Sequence, residues 1–310
     1  MSESNSVIVS SLCEPGLICD KVCIVDEGTC FSYNHQDQLL TRPSCDPDGG
    51  FAAVQCKGDF INGRCFCYDK GGHRIFGQDW WKDTTNMTCA CSREVSSILS
   101  QGDRTDVSLH CSSNGNYEEM QCDDSLCWCA DSTTGLPLAE VVPETMISML
   151  PCADKIEENT QYLRQCESIS ISVNRIKDIS KKHGTIFSSA AMDKCDADGS
   201  YGAVQIIERQ AHCSKKDKIA LGSFQAPINE MNEMDCNCAR DGDLYEQNDL
   251  LFFMDCAGNG DYKAMQAADG KHFCVDSDGY PTTEMGDITE CPVFPHNYKM
   301  VNDIGLRNSI

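Results

Sequence analysis

The chain has 310 residues, 23 of them cysteine, and a formal net charge of −23. The charge argues against nucleic acid, whose phosphates would repel it, and disfavours anionic lipid; no run approaches the ~18 apolar residues that span a bilayer. About one residue in 13 is Cys, a load suited to oxidising compartments, and with seven histidines and widely spaced cysteines the pattern reads as disulfides rather than zinc ligands.

The start, Met1-Ser2-Glu3-Ser4, lacks the basic region and apolar stretch of a signal peptide. So disulfide-rich a chain is still expected to be exported, with a signal trimmed or as an ectodomain cut from a longer precursor. Residues 1–29 form a Cys-rich segment that precedes four gapless repeats: CDPDGGFAAVQ from Cys45, CSSNGNYEEMQ from Cys111, CDADGSYGAVQ from Cys195 and CAGNGDYKAMQ from Cys256. Each has glycine four positions after the Cys (Gly49, Gly115, Gly199, Gly260), an aromatic at six (Phe51, Tyr117, Tyr201, Tyr262) and glutamine at ten (Gln55, Gln121, Gln205, Gln266). The Asp-Gly and Asn-Gly clusters supply a tight turn, and the alternating stretch after the aromatic suits a short half-buried strand. A second anchor Cys follows: Cys67, Cys129, Cys213, Cys274.

Helical stretches precede the hairpins, most clearly from Cys91 and Cys166; Ile169, Val173, Ile176 and Lys177, with Ile179 nearby, follow helical spacing and read as a small module core. Asn86-Met87-Thr88 is the sole glycosylation sequon, which puts a glycan at Asn86 and fits secretion.

Modules one and two carry Cys56 and Cys122 directly after the glutamine, and Cys65 and Cys127 two residues before the second anchor. Modules three and four lack both, having Ile206 with Ala211 and Ala267 with His272. Joint loss, twice, is what a single bond predicts, so Cys56–Cys65 and Cys122–Cys127 are expected bridges. The other four cysteines of each module allow three connectivities.

The segments CDPDGGFAAVQC…CFCYDKGG and CSSNGNYEEMQC…CWCADSTTG resemble the thyroglobulin type-1 signature, including Cys127-Trp128-Cys129, and the resemblance covers residues ~23–291. Modules three and four depart from it by lacking the middle bridge, and Lys215 replaces an acidic residue after the second anchor. The resemblance implies small disulfide-rich modules of irregular α+β type, a short helix plus a short β-hairpin each. It also implies the pairs Cys67–Cys89, Cys91–Cys111, Cys129–Cys152, Cys166–Cys195, Cys213–Cys236, Cys238–Cys256 and Cys274–Cys291. One of Cys13, Cys19, Cys23 and Cys30 should partner Cys45; of the three left, one is unpaired, bonded to another chain, or paired with a segment not present. The expected organisation is module 1 over 30–89, module 2 over 91–152, a connector over 153–165, module 3 over 166–236, module 4 over 238–291 and a tail over 292–310. One residue separates Cys89 from Cys91 and Cys236 from Cys238, so the modules read as two rigid pairs, with a connector that hinges or begins a helix.

No phosphate loop, metal-binding His pair or nucleophile elbow is present; His73, His110, His212 and His272 read as surface or loop residues, and the chain reads as neither an enzyme nor a cofactor protein. Some domains of this family, the thyropins, inhibit papain-like cysteine proteases, and the resemblance implies a wedge of loops entering the active-site cleft. The corresponding residues here are Thr41, Arg42, Pro43 and Ser44 before the first anchor, and Gly63, Arg64, Phe66, Leu126 and Trp128 around the Cys-x-Cys turn. Many members inhibit nothing, so the alternative is an extracellular-matrix or cell-surface recognition protein binding a protein partner, with a carrier or storage ectodomain as a third reading.

Overall fold

A computed structural model of the chain describes residues 17–20, 22–25, 30–31, 42–101, 107–155, 161–186 and 193–291. It consists of small disulfide-bonded units in which short helices accompany small antiparallel sheets.

Each repeat forms the same local structure. The first Cys bridges the aromatic across a tight turn: Cys45 with Phe51, Cys111 with Tyr117, Cys195 with Tyr201 and Cys256 with Tyr262. The glycine in that turn has φ of 87°, 81°, 76° and 86° in the four repeats, a region that side chains with a Cβ avoid. The glutamine that follows is buried in every repeat. Its amide clamps the segment before the anchor Cys: Gln121 Oε1 accepts from the His110 N–H at 3.0 Å, and its Nε2 donates to the carbonyls of His110 and Glu118. Gln55 does the same for Ser44 and Gln266 for Asp255, and Gln205 donates to Lys194. A hydrophobic residue of similar size would leave those groups unpaired inside the protein. Gln121→Leu is therefore expected to cost about 2 kcal/mol in denaturant unfolding of the oxidised chain.

The hairpins set the register that the middle bridge needs. In the first unit β3 (Val54–Lys57) pairs with β4 (Arg64–Tyr68), which also pairs with β5 (Arg74–Trp80). The second has β6 (Met120–Asp123), β7 (Leu126–Cys129) and β8 (Val142–Pro143); the third has β9 (Val204–Ile207), β10 (Gln210–Ser214) and β11 (Ala220–Ala226); the fourth has β12 (Met265–Ala268) and β13 (Lys271–Cys274). Cys56 stands directly opposite Cys65, and Cys122 opposite Cys127. The same opposed positions hold Ile206 and Ala211 in the third unit, and Ala267 and His272 in the fourth. Two-residue turns with positive φ at both positions close three of these hairpins: Asp124-Ser125, Glu208-Arg209 and Asp269-Gly270, matching the twist of the strands. Ahead of the repeats, β1 (Leu17–Asp20) pairs antiparallel with β2 (Val22–Val25), Cys19 opposite Cys23.

Among the described residues the disulfides include Cys30–Cys45, Cys56–Cys65, Cys67–Cys89, Cys91–Cys111, Cys122–Cys127, Cys129–Cys152, Cys166–Cys195, Cys213–Cys236, Cys238–Cys256 and Cys274–Cys291. Cys30, one of the candidates for a bond to another chain, is thus bonded within this one. Cys13 lies outside the described residues.

Helices α1 (Ala90–Gln101), α2 (Gln165–Lys182) and α3 (Asn237–Gln247) open the second, third and fourth units. In α1, Cys91 and Val95 are buried and pack with Leu109, Cys111 and Tyr117. The apolar stripe of α2 departs from expectation: Ile169, Ile176 and Ile179 are 42%, 54% and 56% exposed. The helix is held at its N-terminal end, by Cys166 and Glu167, and so its later turns project away from the small core instead of lining it.

The joints within the two pairs are alike. From α1, Arg93 donates to the carbonyls of Tyr68 and Phe51 and pairs with Asp46. From α3, Arg240 donates to the carbonyls of Ser214 and Tyr201 and pairs with Asp196. The turn glycine of each second member lies against a disulfide of its predecessor. A Cβ on Gly115 would sit 2.4 Å from Cys67 Sγ, and one on Gly260 would sit 2.2 Å from Cys213 Sγ.

Candidate functional site

In each of the first two units the segment before the anchor Cys lies along the hairpin, which gives two structurally equivalent edges. The segment is drawn to the hairpin by the glutamine clamp, and in the second unit Ser108 Oγ also donates to the Cys122 carbonyl at 2.9 Å.

In the first unit this edge is open among the described residues. Arg42 and Ser44 are exposed and Pro43 is half-buried; Thr41 lies outside the described residues. At the hairpin tip Phe60 and Ile61 are 61% and 69% exposed, two residues that sequence reasoning passed over. The turn beneath them is braced. Asp59 Oδ1 accepts from the N–H groups of Ile61 and Asn62 at 2.9 and 3.0 Å, and the Gly63 N–H donates to the Asp59 carbonyl at 2.7 Å. Gly63 is buried, and a Cβ there would lie 2.3 Å from the Lys57 carbonyl oxygen. The Cys56–Cys65 bond closes the base of the hairpin. The Phe60 ring meets Trp81 edge-on at 6.4 Å but stays mostly exposed, and the signal that could have found the tip was an aromatic–aliphatic pair placed inside a turn.

Arg64 and Phe66 stand elsewhere than expected. The Cys-x-Cys triplet is not a turn but part of β4, the central strand, and its outer face is covered by the fourth unit. Arg64 is 3% exposed, with Nη1 and Nη2 at 2.6 and 2.5 Å from the two carboxylate oxygens of Asp241. Burial works against the Arg64 charge, but Asp241 more than offsets it and raises the guanidinium pKa. Phe66 is fully buried between the guanidinium groups of Arg64 and Arg74, with the Tyr280 ring edge-on at 6.0 Å. Lys57 and Arg74 pair with Asp278 at 2.5 and 2.8 Å, and Lys57 also pairs with Asp276. Although burial pushes the Asp278 carboxyl up, these two cations hold it well below the usual carboxylate range. This basic–acidic clasp joins the first unit to the fourth. Its carboxylate contribution is present above the ordinary Asp pKa and is lost only as pH falls through the depressed value.

In the second unit the equivalent edge is covered by the start of α2. Leu126 is exposed at the hairpin tip, while Trp128 is half-buried with Nε1 donating to the Gly135 carbonyl at 3.1 Å. His110, expected to be a surface or loop residue, lies in the loop before Cys111 but is only 2% exposed. Its Nε2 lies 2.6 Å from Glu167 Oε1, its Nδ1 lies 3.6 Å from Glu118 Oε2, and its ring stacks on Tyr162 at 4.2 Å. Of the other histidines, His73 pairs with Asp69 at 2.9 Å, His212 is half-buried on β10 and His272 is exposed on β13. Among the described residues no group of three His, Cys, Asp or Glu side chains is placed to hold a metal ion, and no helix is long and apolar enough to cross a membrane. Asn86 is exposed, beside the joint of the first pair, where its carbonyl accepts from Asn116 Nδ2 at 2.7 Å.

The thyroglobulin type-1 repeat matches residues 27–89 and 91–144. The chain carries thyroglobulin type-1 repeats. It is 28% identical to thyroglobulin of Rattus norvegicus over 180 residues, covering 56% of this chain and 6% of the relative. It is 33% identical to equistatin of Actinia equina over 94 residues, 29% of this chain and 40% of the relative, and 29% identical to nidogen-2 of Mus musculus over 107 residues, 29% and 8% of the two chains. The chain therefore spans less than half the length of each of these relatives. The two matched type-1 repeats contain both middle disulfides and both edges described above. The later units keep the Cys, Gly, aromatic and Gln framework with ten-residue spacing but have no middle bridge.

Proposed function

We propose that the chain is a secreted, non-catalytic, thyropin-like inhibitor of papain-like cysteine proteases, acting through its first type-1 repeat. The observation that carries this reading is the open, braced edge of that repeat, where Phe60 and Ile61 project from a turn locked by Asp59, Gly63 and the Cys56–Cys65 bond. A preorganised apolar tip loses little conformational freedom on entering a cleft, so more of its contact energy becomes affinity. Arg42, Pro43 and Ser44 form the second arm of the wedge. The matching edge of the second repeat is occupied by Tyr162 and Glu167, so Leu126 and Trp128 are assigned at most a supporting part.

The test is titration of the oxidised protein against a panel of papain-like proteases. Reversible inhibition, lost on reduction, is the expected result. The double variant Phe60→Ala/Ile61→Ala should weaken it by about tenfold or more while leaving thermal unfolding unchanged, as truncation of two interface anchors does. No inhibition at micromolar concentration, with the protein left uncleaved, overturns the proposal.

One observation favours the second reading, a matrix or cell-surface recognition protein. Leu136, Leu138, Val141, Met146 and Met149 of the second unit are all exposed, an apolar stretch of the kind that marks interaction surfaces. A pull-down with extracellular proteins that depends on these five side chains, but not on Phe60 and Ile61, would favour it.

A further inference from the structure

The joint between the second and third units contains one buried histidine, His110. His110 projects from the segment before Cys111 toward α2, and every polar group facing it is chargeable or committed. Glu118 approaches from its own unit; Glu167 and Arg164 come from the N-terminal end of α2, and Tyr162 from the residues just before it. Arg164 Nη2 pairs with the same Glu118 at 2.8 Å, and its backbone N–H donates to Glu167 Oε1 at 2.5 Å. The Tyr162 hydroxyl donates to the Ser108 carbonyl at 2.6 Å, and the Cys111 N–H donates to the Ala197 carbonyl at 3.0 Å. These contacts hold the third unit over the edge of the second.

We propose that protonated His110 is a pH-dependent latch: the third unit covers the edge of the second repeat in mild acid and releases it as the medium becomes alkaline. Two carboxylates converge on one imidazole in a site that excludes water. With His110 neutral, one carboxylate loses its charged partner, and the Arg164 side chain alone faces both. Burial by itself would lower the imidazole pKa, yet Glu118 and Glu167 raise it above the ordinary 6.5. A raised pKa in the folded state contributes stability fully present below the unfolded value and lost as pH rises through the folded one. For Glu118 burial works upward, but His110 and Arg164 leave its pKa below the ordinary 4.5, so its contribution persists until pH falls through that lowered value. The latch is therefore firmest between the two. The ion pairs of the neighbouring clasp, Lys57, Arg64 and Arg74 with Asp241, Asp276 and Asp278, involve no histidine, so the first and fourth units stay joined while the latch opens.

The inference concerns an edge that the inhibitor reading would otherwise use, but its test does not depend on inhibition. Amide hydrogen exchange of the full oxidised chain, corrected for intrinsic rates, reads the joint through the Cys111 N–H. The Gln78 N–H, bonded to the Ser113 carbonyl within the first pair, is the internal control. Protection of Cys111 should fall by at least about tenfold between pH 5.5 and pH 8.5, the loss expected when a buried hydrogen bond to a charged group is removed, while that of Gln78 holds. In His110→Gln the pH dependence at Cys111 should vanish. Glu167→Gln, which keeps the shape of the site, should move the midpoint to lower pH, and it decides the matter if the first variant does not fold. Equal protection of Cys111 at both pH values, a pH dependence that survives in folded His110→Gln, or an unmoved midpoint in Glu167→Gln overturns the latch.

Discussion

Arg64→Ala is expected to destabilise the oxidised chain by about 3–5 kcal/mol, the range seen when one partner of a buried ion pair is removed. The loss has two sources. Asp241 is 1% exposed and, among the described residues, keeps the Tyr262 hydroxyl at 2.7 Å as the hydrogen-bond partner of its buried negative charge. The Phe66 ring also loses one of the two guanidinium groups that cover it. Equilibrium unfolding in denaturant without reductant measures the change, and exchange at β4 and α3 locates it. The pair variant Arg64→Met/Asp241→Leu should recover most of the loss, because replacing both charges by apolar groups removes the desolvation cost along with the attraction. A single variant within about 0.5 kcal/mol of wild type would mean that the fourth unit does not dock on the first.

Gly115→Val should have a comparable effect, about 2–6 kcal/mol, through the joint of the first pair. A β-branched residue at φ 81° is strained by about 1–3 kcal/mol. Its Cβ would also lie 2.4 Å from Cys67 Sγ and 2.9 Å from Ser92 Oγ, an overpacking worth about 1–3 kcal/mol where neither neighbour can move. The disulfide partner Cys89 leads within two residues to α1, so neither side of the contact has slack. Thermal unfolding of the oxidised variant checks the magnitude. Gly270→Val provides the contrast, for nothing lies within 4 Å of its added Cβ, and only backbone strain at φ 75° should appear.

The parts of this fold that repeat are the parts that could be read. Four copies of one Cys–Gly–aromatic–Gln spacing announce a unit, and the joint absence of two cysteines in two copies points to a single bond, whose positions prove to be directly opposed on β3–β4 and β6–β7. The role of the glutamine was invisible, although its position was plain, because a side-chain clamp on backbone leaves no periodic trace. The site was less legible. Arg64 and Asp241 are separated by 177 residues, and a basic residue in a strand carries no mark of a partner so distant. The helical stripe of α2 misled because spacing reveals a face but not what covers it: Ile176 and Ile179 share a face that the structure leaves exposed among the described residues. His110 was passed over because it shows no pairing with another His or Cys. Its distinguishing mark is its place beside Cys111, where the other repeats have Ser44, Lys194 and Asp255 and where the glutamine clamp fixes the backbone.

Among the described residues, the latch covers the edge of the second repeat, whereas the clasp takes the face of β4 and leaves Arg42, Ser44, Phe60 and Ile61 of the first repeat exposed. That is the central claim, and hydrogen exchange with and without a saturating, catalytically inactivated papain-like protease tests it most directly. The account predicts added protection at residues 42–44 and 59–63 of the first repeat, with the 107–110 segment of the second repeat unchanged in mild acid. Protection of the second, third or fourth unit with none in the first, or no protection at any position, would contradict it.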